Sequence, residues 1–407
     1  MSFAWLTRFP ALVWILIIGV FCSRGTFLMV WPFLAILLYQ KFNLNEWQIG
    51  LILSSSAVIA IFVGFYSGTL SDRFGRKSML MTAGVLSVTA FTALAQAEAL
   101  STYVLCIMLC AVSKEIWDPA AKALISDSIE QMELREFALQ VRYFAINVGA
   151  ALGPLAGVWL GLTAQQSTFY ATALVFVLLT AAVFIGFSRQ PPTNQRIKKT
   201  SFSFLQTFKL MAQDQVLLLL VLANILVLYI YAHMDTSLVQ YLTQAGVPQL
   251  VELVSAVILT NALTIISFQF VLLKLLGKYS LNQRVVFGMF LLAIGQLMMA
   301  FNPVNLFWGW IAAVFLMSLG EAILFPTMNI QVDRLAPANM KGAYFGAASL
   351  FSIGFAIAPY FGGVILSAAS GPVLFTSNAL LCGVVLILYY LIRFAKRPSA
   401  VLMNQNL

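Results

Sequence analysis

Charge is what this chain has least of. Asp, Glu, Lys and Arg together make up 9% of its 407 residues, against about a quarter in a soluble globular domain. Too few charged side chains are present to cover a water-facing surface. Histidine occurs once, at His233. It lies two positions from Asp235, and residues two apart on a helix do not share a face, so the pair forms no relay. Neither a Ser–His–Asp set nor a metal-ligand cluster can be assembled, so the chain does not read as an enzyme and no cofactor or metal is expected. The four cysteines, Cys22, Cys106, Cys110 and Cys382, all lie in apolar segments. Cys106 and Cys110 share a helix face, but two thiols without further ligands fall short of a zinc site. They read as small packing hydrophobes. The net charge of +9 would suit a polyanion, but no soluble basic domain exists to hold one. No nucleic-acid partner is expected, and the cations are read as markers of cytoplasmic loops.

Hydrocarbon is abundant. Hydrophobic residues are 61% of the chain and the mean hydropathy is +0.93. Repeated apolar runs of about 20 residues point to an all-α polytopic membrane protein. The 13 prolines and 25 glycines lie largely inside or at the ends of those runs, where lipid-embedded helices tolerate them. Twelve transmembrane helices are predicted, at 12–38, 47–70, 78–97, 102–126, 137–161, 167–187, 214–240, 250–273, 284–300, 305–329, 341–366 and 371–393. The first run is too long for a signal-peptide core and no small-residue cleavage site follows it, so it reads as an uncleaved span. The longest polar interval, 188–213, carries Arg189, Arg196, Lys198, Lys199, Lys209 and Pro191–Pro192. It divides the chain into a six-helix half (1–187), a cytoplasmic linker and a second six-helix half (214–407).

The cations orient this arrangement. With the N-terminus in the cytoplasm, eighteen of the 23 Lys and Arg fall in inner loops and termini and only Lys41 in an outer loop. The other four, Arg24, Lys114, Lys122 and Arg142, lie within runs. So strong a bias places both termini inside. An internal repeat accompanies it. Glu115, Asp127 and Arg135 recur as Glu321, Asp333 and Lys341, each 206 residues on, and Pro154–Gly157 recurs as Pro359–Gly362 after 205. Two copies with the same orientation are the parallel repeat of one large transporter architecture, with its substrate site near the midplane.

Between the second and third runs lies Gly68-Thr-Leu70-Ser-Asp72-Arg73-Phe-Gly75-Arg76-Lys77. This stretch resembles, without a gap, the pattern G-x-L-x-D-R-x-G-R-K found at that place in the major facilitator superfamily. A second stretch, Gly149-Ala-Ala-Leu-Gly153-Pro154-Leu-Ala-Gly157, resembles the glycine–proline motif of the superfamily's drug:proton antiporters. Asp127 and Tyr143-Phe-Ala-Ile-Asn147 resemble the lactococcal-type multidrug exporters. The resemblance implies the major facilitator fold and a multi-pass transporter of the bacterial cytoplasmic (inner) membrane, working as a monomer on a small-molecule substrate and protons. It departs in two places. The arginine usual early in the fourth helix is absent from Leu109–Ser113, where Lys114 or Lys122 could substitute. The second-half loop Gly277–Arg284 keeps cations and loses the aspartate.

Candidate residues follow. The resemblance implies that Gly68, Asp72, Arg73, Gly75, Arg76 and Lys77 form an inner gate. Asp72 would sit near the N-terminus of the helix beginning at about 341, where the helix dipole favours a carboxylate; the alternative is that it only shapes its loop. Arg24 lies halfway along the first run, and an intramembrane arginine needs a partner or a function. It either anchors an anionic substrate group or pairs permanently with Glu115 or Asp118. Glu115, Asp118 and Lys122 share a face of the fourth run. Glu115, the deepest, is the first candidate proton carrier, and Asp118 its charged neighbour. Glu321, among apolar neighbours, is the second. Asp127 with Arg135, and Asp333 with Lys341, are each spaced as an inner-face charge relay, with a coupling role for Asp127 as the alternative. Asp235, Tyr143, Asn147, Trp117 and Tyr231 are candidate cavity groups for substrate, and Gly149, Gly153 and Gly157 a stripe for close helix packing. These features together predict a proton-coupled exporter of amphipathic drugs or toxic metabolites. The alternative is a proton-coupled carrier of a defined anionic solute (a siderophore, small peptide or organic acid) anchored on Arg24.

Overall fold

The computed structural model describes residues 3–31, 34–159, 165–189 and 203–399. Those residues are helical almost throughout. In chain order the α-helices are α1 (Ala11–Val30), α2 (Leu34–Phe42), α3 (Glu46–Phe74), α4 (Arg76–Gln96), α5 (Leu100–Ser128), α6 (Met132–Trp159), α7 (Phe169–Ser188) and α8 (Phe204–Gln213). They continue as α9 (Gln215–Asp235), α10 (Ser237–Gln244), α11 (Leu250–Leu275), α12 (Leu281–Phe301), α13 (Phe307–Leu335), α14 (Lys341–Ala348), α15 (Ile353–Ala368) and α16 (Gly371–Leu391). Among the described residues, eleven helical stretches are long and apolar enough to cross a membrane. The predicted run 137–161 corresponds to α6, which is not one of the eleven. Its 28 residues are long enough, but Arg142, Asn147 and the Gly–Pro stripe lower its hydropathy.

Local chemistry sets where helices begin. Asn45 with Gln48, Ser203 with Gln206 and Ser280 with Gln283 each form a reciprocal capping box, which satisfies two otherwise orphaned N–H groups per helix start. The Ser203 box turns the end of the predicted linker into α8, whose Phe204 stacks on Tyr66 and whose Phe208 meets Phe65 edge-on. The rest of the linker, 190–202, lies outside the described residues.

The first predicted run, 12–38, covers α1 and α2, and Pro32 and Phe33 between them lie outside the described residues. Two predicted runs are interrupted. The seventh is α9 and α10, joined at Thr236. The eleventh is α14, a 3-10 segment at Ser349–Ser352, and α15. Trp310 is fully buried, its indole N–H donating to Val304 O at 3.1 Å.

The described residues form two compact units, one comprising Ser2–Lys209 and Val332–Ser349, the other Leu210–Gln331 and Leu350–Ser399. In the first, α1 packs along α6 and α7, α5 against α3 and α4, and α14 against α3 and α5. Glycine permits the closest approaches. A Cβ on Gly149 or Gly153 would strike the backbone of α1 at Phe21 and Gly25, and one on Gly68 would strike Gly342 and Gly346. In the second unit α9 packs on α15 and α16, and α12 on α16.

The α3–α4 corner is a single residue. Gly75 caps α3 and precedes α4 with φ 91° and ψ 152°, a region essentially confined to glycine. Gly75→Ala should therefore cost about 1–3 kcal/mol, read as earlier thermal unfolding in detergent. Gly50→Ala, which meets open space on the same helix, should not lower stability.

Candidate functional site

The stretch Gly68–Lys77 sorts its own cations. Arg73 and Lys77 are exposed. The Arg73 guanidinium lies 5.8 Å from the Phe74 ring centroid, and the Lys77 ammonium 4.8 Å from that of Phe184. Among the described residues neither joins the ion-pair network. Arg76, by contrast, is 2% exposed. Its Nη1 meets Asp72 at 2.6 Å and donates to Ser71 Oγ at 2.9 Å, while its Nε meets Asp127 at 2.8 Å.

Asp72 is 4% exposed and accepts the backbone N–H groups of Gly342 (2.8 Å) and Ala343 (2.7 Å). These are first-turn amides of α14, whose helical partners are missing, so carboxylate and helix terminus satisfy one another. Gly68, one turn before Asp72, and Gly342 and Gly346 on α14 let the two backbones meet. Asp72 thus lies where the sequence reading put it, at the N-terminus of that helix.

A second knot lies beside the first. Asp333 is fully buried and accepts from Ser126, from Arg135 Nε at 2.6 Å and from Lys341 Nζ at 2.8 Å. Arg334 pairs with Glu136. The predicted symmetry is therefore broken. Asp333 keeps Lys341, as its spacing suggests, but Arg135 also serves Asp333, and Asp127 is held by Arg76. A sequence repeat equates residues; it does not choose partners, and a fully buried aspartate gains more from a second cation than the partly exposed Asp127.

Within the same unit, α5 carries the interior charges. Asp118 is held by Lys122 at 2.7 Å and by Arg142 from α6. The Glu115 side chain is 17% exposed, 3.7 Å from Lys114, and hydrogen-bonded to Ser349. Arg24 makes no ion pair with either carboxylate, which removes the permanent salt bridge as a reading of this structure. It lies within Coulombic reach of both, and its Nε is buried without a hydrogen-bond partner. Trp117 is 7% exposed and packs edge-on against Phe176. Asn147 donates to Tyr143 O at 3.0 Å, within its own helix.

The other unit holds a separate polar group. Glu321 is not solitary: Asn261 of α11 donates to it at 2.7 Å and also contacts Ser318 (3.0 Å) and the Tyr231 hydroxyl (3.2 Å). The Tyr231 ring sits edge-on to Phe325 and Phe355. Asp235 is exposed and within Coulombic reach of Glu321. His233 is buried, with Nδ1 2.7 Å from Ser237 Oγ. Among the described residues, no group of three His, Cys, Asp or Glu could hold a metal. Asn261, Ser126 and Ser349 were missed by sequence reasoning. An asparagine inside the apolar run 250–275 was the one available signal; the serines carry none.

The fold and these charge clusters define a helical membrane transporter. The Major Facilitator Superfamily description matches residues 16–352, and the chain belongs to that family. It is 27% identical over 354 residues to the uncharacterized MFS-type transporter YqjV of Bacillus subtilis, covering 87% of this chain and 86% of that one. It is 26% identical over 374 residues to a Na(+), Li(+), K(+)/H(+) antiporter of Planococcus maritimus, covering 84% and 87%. Among solved structures it shares its fold with the human organic anion transporter MFSD10, at a TM-score of 0.75 and 17% identity, covering 94% of this chain and 99% of that one.

The burial contrast makes a direct test. Arg76→Ala strands Asp72 and Asp127 and should cost about 3–5 kcal/mol. Arg73→Ala, on the exposed side, should stay within about 0.5 kcal/mol. Thermal unfolding of the purified variants compares them.

Proposed function

We propose that this chain is a proton-coupled secondary transporter that works by alternating access and exports amphipathic solutes, drugs or toxic metabolites among them. The observation that carries the reading is the unequal treatment of the interior carboxylates. Asp118 is neutralised by Lys122 and Arg142, and Asp127 is committed to Arg76. Glu115 and Glu321 are held less tightly: Glu115 has the Ser349 hydroxyl and Lys114 at 3.7 Å, and Glu321 accepts from the Asn261 amide at 2.7 Å. A carboxylate clamped by two close cations makes a poor proton carrier, whereas one without such a clamp can exchange its proton as substrate arrives. Glu115 and Glu321 are therefore assigned proton coupling, and the Asp72–Arg76 knot the inner gate. Substrate enters from the cytoplasm and displaces a proton, the gate closes, and protons from outside reset the carrier.

A second reading is favoured by Arg24. Among the described residues its guanidinium makes no ion pair and leaves Nε unsatisfied, which suits a site for an anionic solute such as a siderophore, small peptide or organic acid, since guanidinium binds carboxylates in a fork.

Proteoliposomes with an imposed pH gradient and a substrate panel separate these outcomes. Glu115→Gln and Glu321→Gln should each lower gradient-driven transport by about tenfold or more, in the range that positioned acid–base groups supply. Full gradient-driven transport by both variants would sink the proton assignment. Arg24→Ala should abolish binding of an anionic substrate and leave binding of a cationic drug intact or improved.

A further inference from the structure

The Glu115 carboxylate makes one contact that proton carriage does not require, its hydrogen bond to Ser349. Ser349 follows the last residue of α14 and opens the 3-10 segment Ser349–Ser352, which interrupts the 28-residue apolar stretch Lys341–Ala368. A 3-10 stretch inside a longer helix often marks a hinge. The packing there is close. A Cβ on Gly64 would lie 2.7 Å from Ser349 Oγ and 3.1 Å from Glu115 Oε2, so the two side chains meet over a glycine. One turn on, Ser67 Oγ donates to the Glu115 carbonyl at 3.2 Å and sets α3 against α5 at the same level. The segment Lys341–Ser349 is thus tied at both ends: to Asp72 and through Asp333 at its start, and to Glu115 about 12 Å further along the helix axis.

We propose that Ser349 is a positioning residue that couples the state of Glu115 to the docking of the gate segment. While Glu115 is charged, the Ser349 hydroxyl donates to it and holds the end of α14 against α3. When Glu115 accepts a proton, a charge-assisted bond becomes a neutral one of about half the strength, and the segment loosens at the 3-10 turn. The inference rests on the reading of Glu115 as a proton-coupling group. The charged groups around Glu115 are Lys114, Asp118 and Lys122 on its own helix and Arg24 on α1. From α3 and α14 it is faced by Gly64, Ser67 and Ser349.

Hydrogen exchange of the peptide covering Lys341–Ser349, in the full chain in nanodiscs, tests this at neutral and mildly acidic pH. In the unmodified protein, after correction for intrinsic rates, acid should speed exchange. Ser349→Ala should exchange about tenfold faster at neutral pH, the loss of one hydrogen bond to a charged group, with no further acid response. Ser349→Thr, which keeps the hydroxyl, should restore both features. Glu115→Gln should behave as Ser349→Ala does, and the double variant should be no faster than either. An acid response retained in Ser349→Ala, or effects of the two variants that multiply, would overturn the coupling. If Glu115→Gln transports normally under a pH gradient, the proton-carrier reading fails, while the exchange data still decide whether Ser349 couples Glu115 to the segment.

Discussion

Much of the first compact unit depends on the burial of one carboxylate. Asp72 is 4% exposed, and a charge so placed must be fully satisfied or the structure opens. Its needs determine its surroundings. It requires free N–H groups, which only a helix terminus offers in such number, and so α14 begins against it. It requires a cation, and Arg76 supplies one from the next turn. Arg76 is buried in turn and needs Asp127. Backbone must come close to backbone for the amides to reach, so Gly68 faces Gly342 and Gly346. The motif is therefore a set of mutual obligations, and each conspicuous residue in it answers to the burial of Asp72.

The same logic explains why Val332–Ser349 packs with a unit from which it is more than a hundred residues distant in the chain. Asp333 is wholly buried and takes its donors from Ser126 and Arg135 as well as from its own neighbour Lys341. Three donors from different parts of the chain make that commitment cooperative, because removing any one leaves the others facing an under-compensated charge. Beside it, the buried Glu136 is paired with the partly exposed Arg334.

The two units treat interior charge differently. One collects Arg24, Lys114, Lys122 and Arg142 around Glu115 and Asp118. The other sets Glu321 against Asn261, which also contacts Ser318 and Tyr231, with the exposed Asp235 within Coulombic reach. Glu115 and Glu321 occupy equivalent positions in the repeat, yet one is set among cations and the other beside an amide and a second carboxylate. The repeat supplies two carboxylates, and their neighbours make them chemically distinct.

The sequence by itself determined the class. Scarce charge and repeated apolar runs leave a multi-helix membrane protein as the physically permitted outcome, and the one-sided distribution of cations orders its loops. It also placed Asp72 at the right helix terminus, through the resemblance of its loop to the superfamily motif. Breaks at Thr236 and Ser349 were not legible, since neither residue forbids a helix and the interruption comes from packing. Partner choice was not legible either. Arg135 joining Asp333, Asn261 reaching Glu321, Trp117 turning into the core and Arg24 keeping an unsatisfied nitrogen all depend on which helix faces meet. Hydropathy and spacing report a residue's depth and face along its own helix. Only tertiary structure decides what stands opposite, and for charges in a medium of low dielectric the group opposite sets the role.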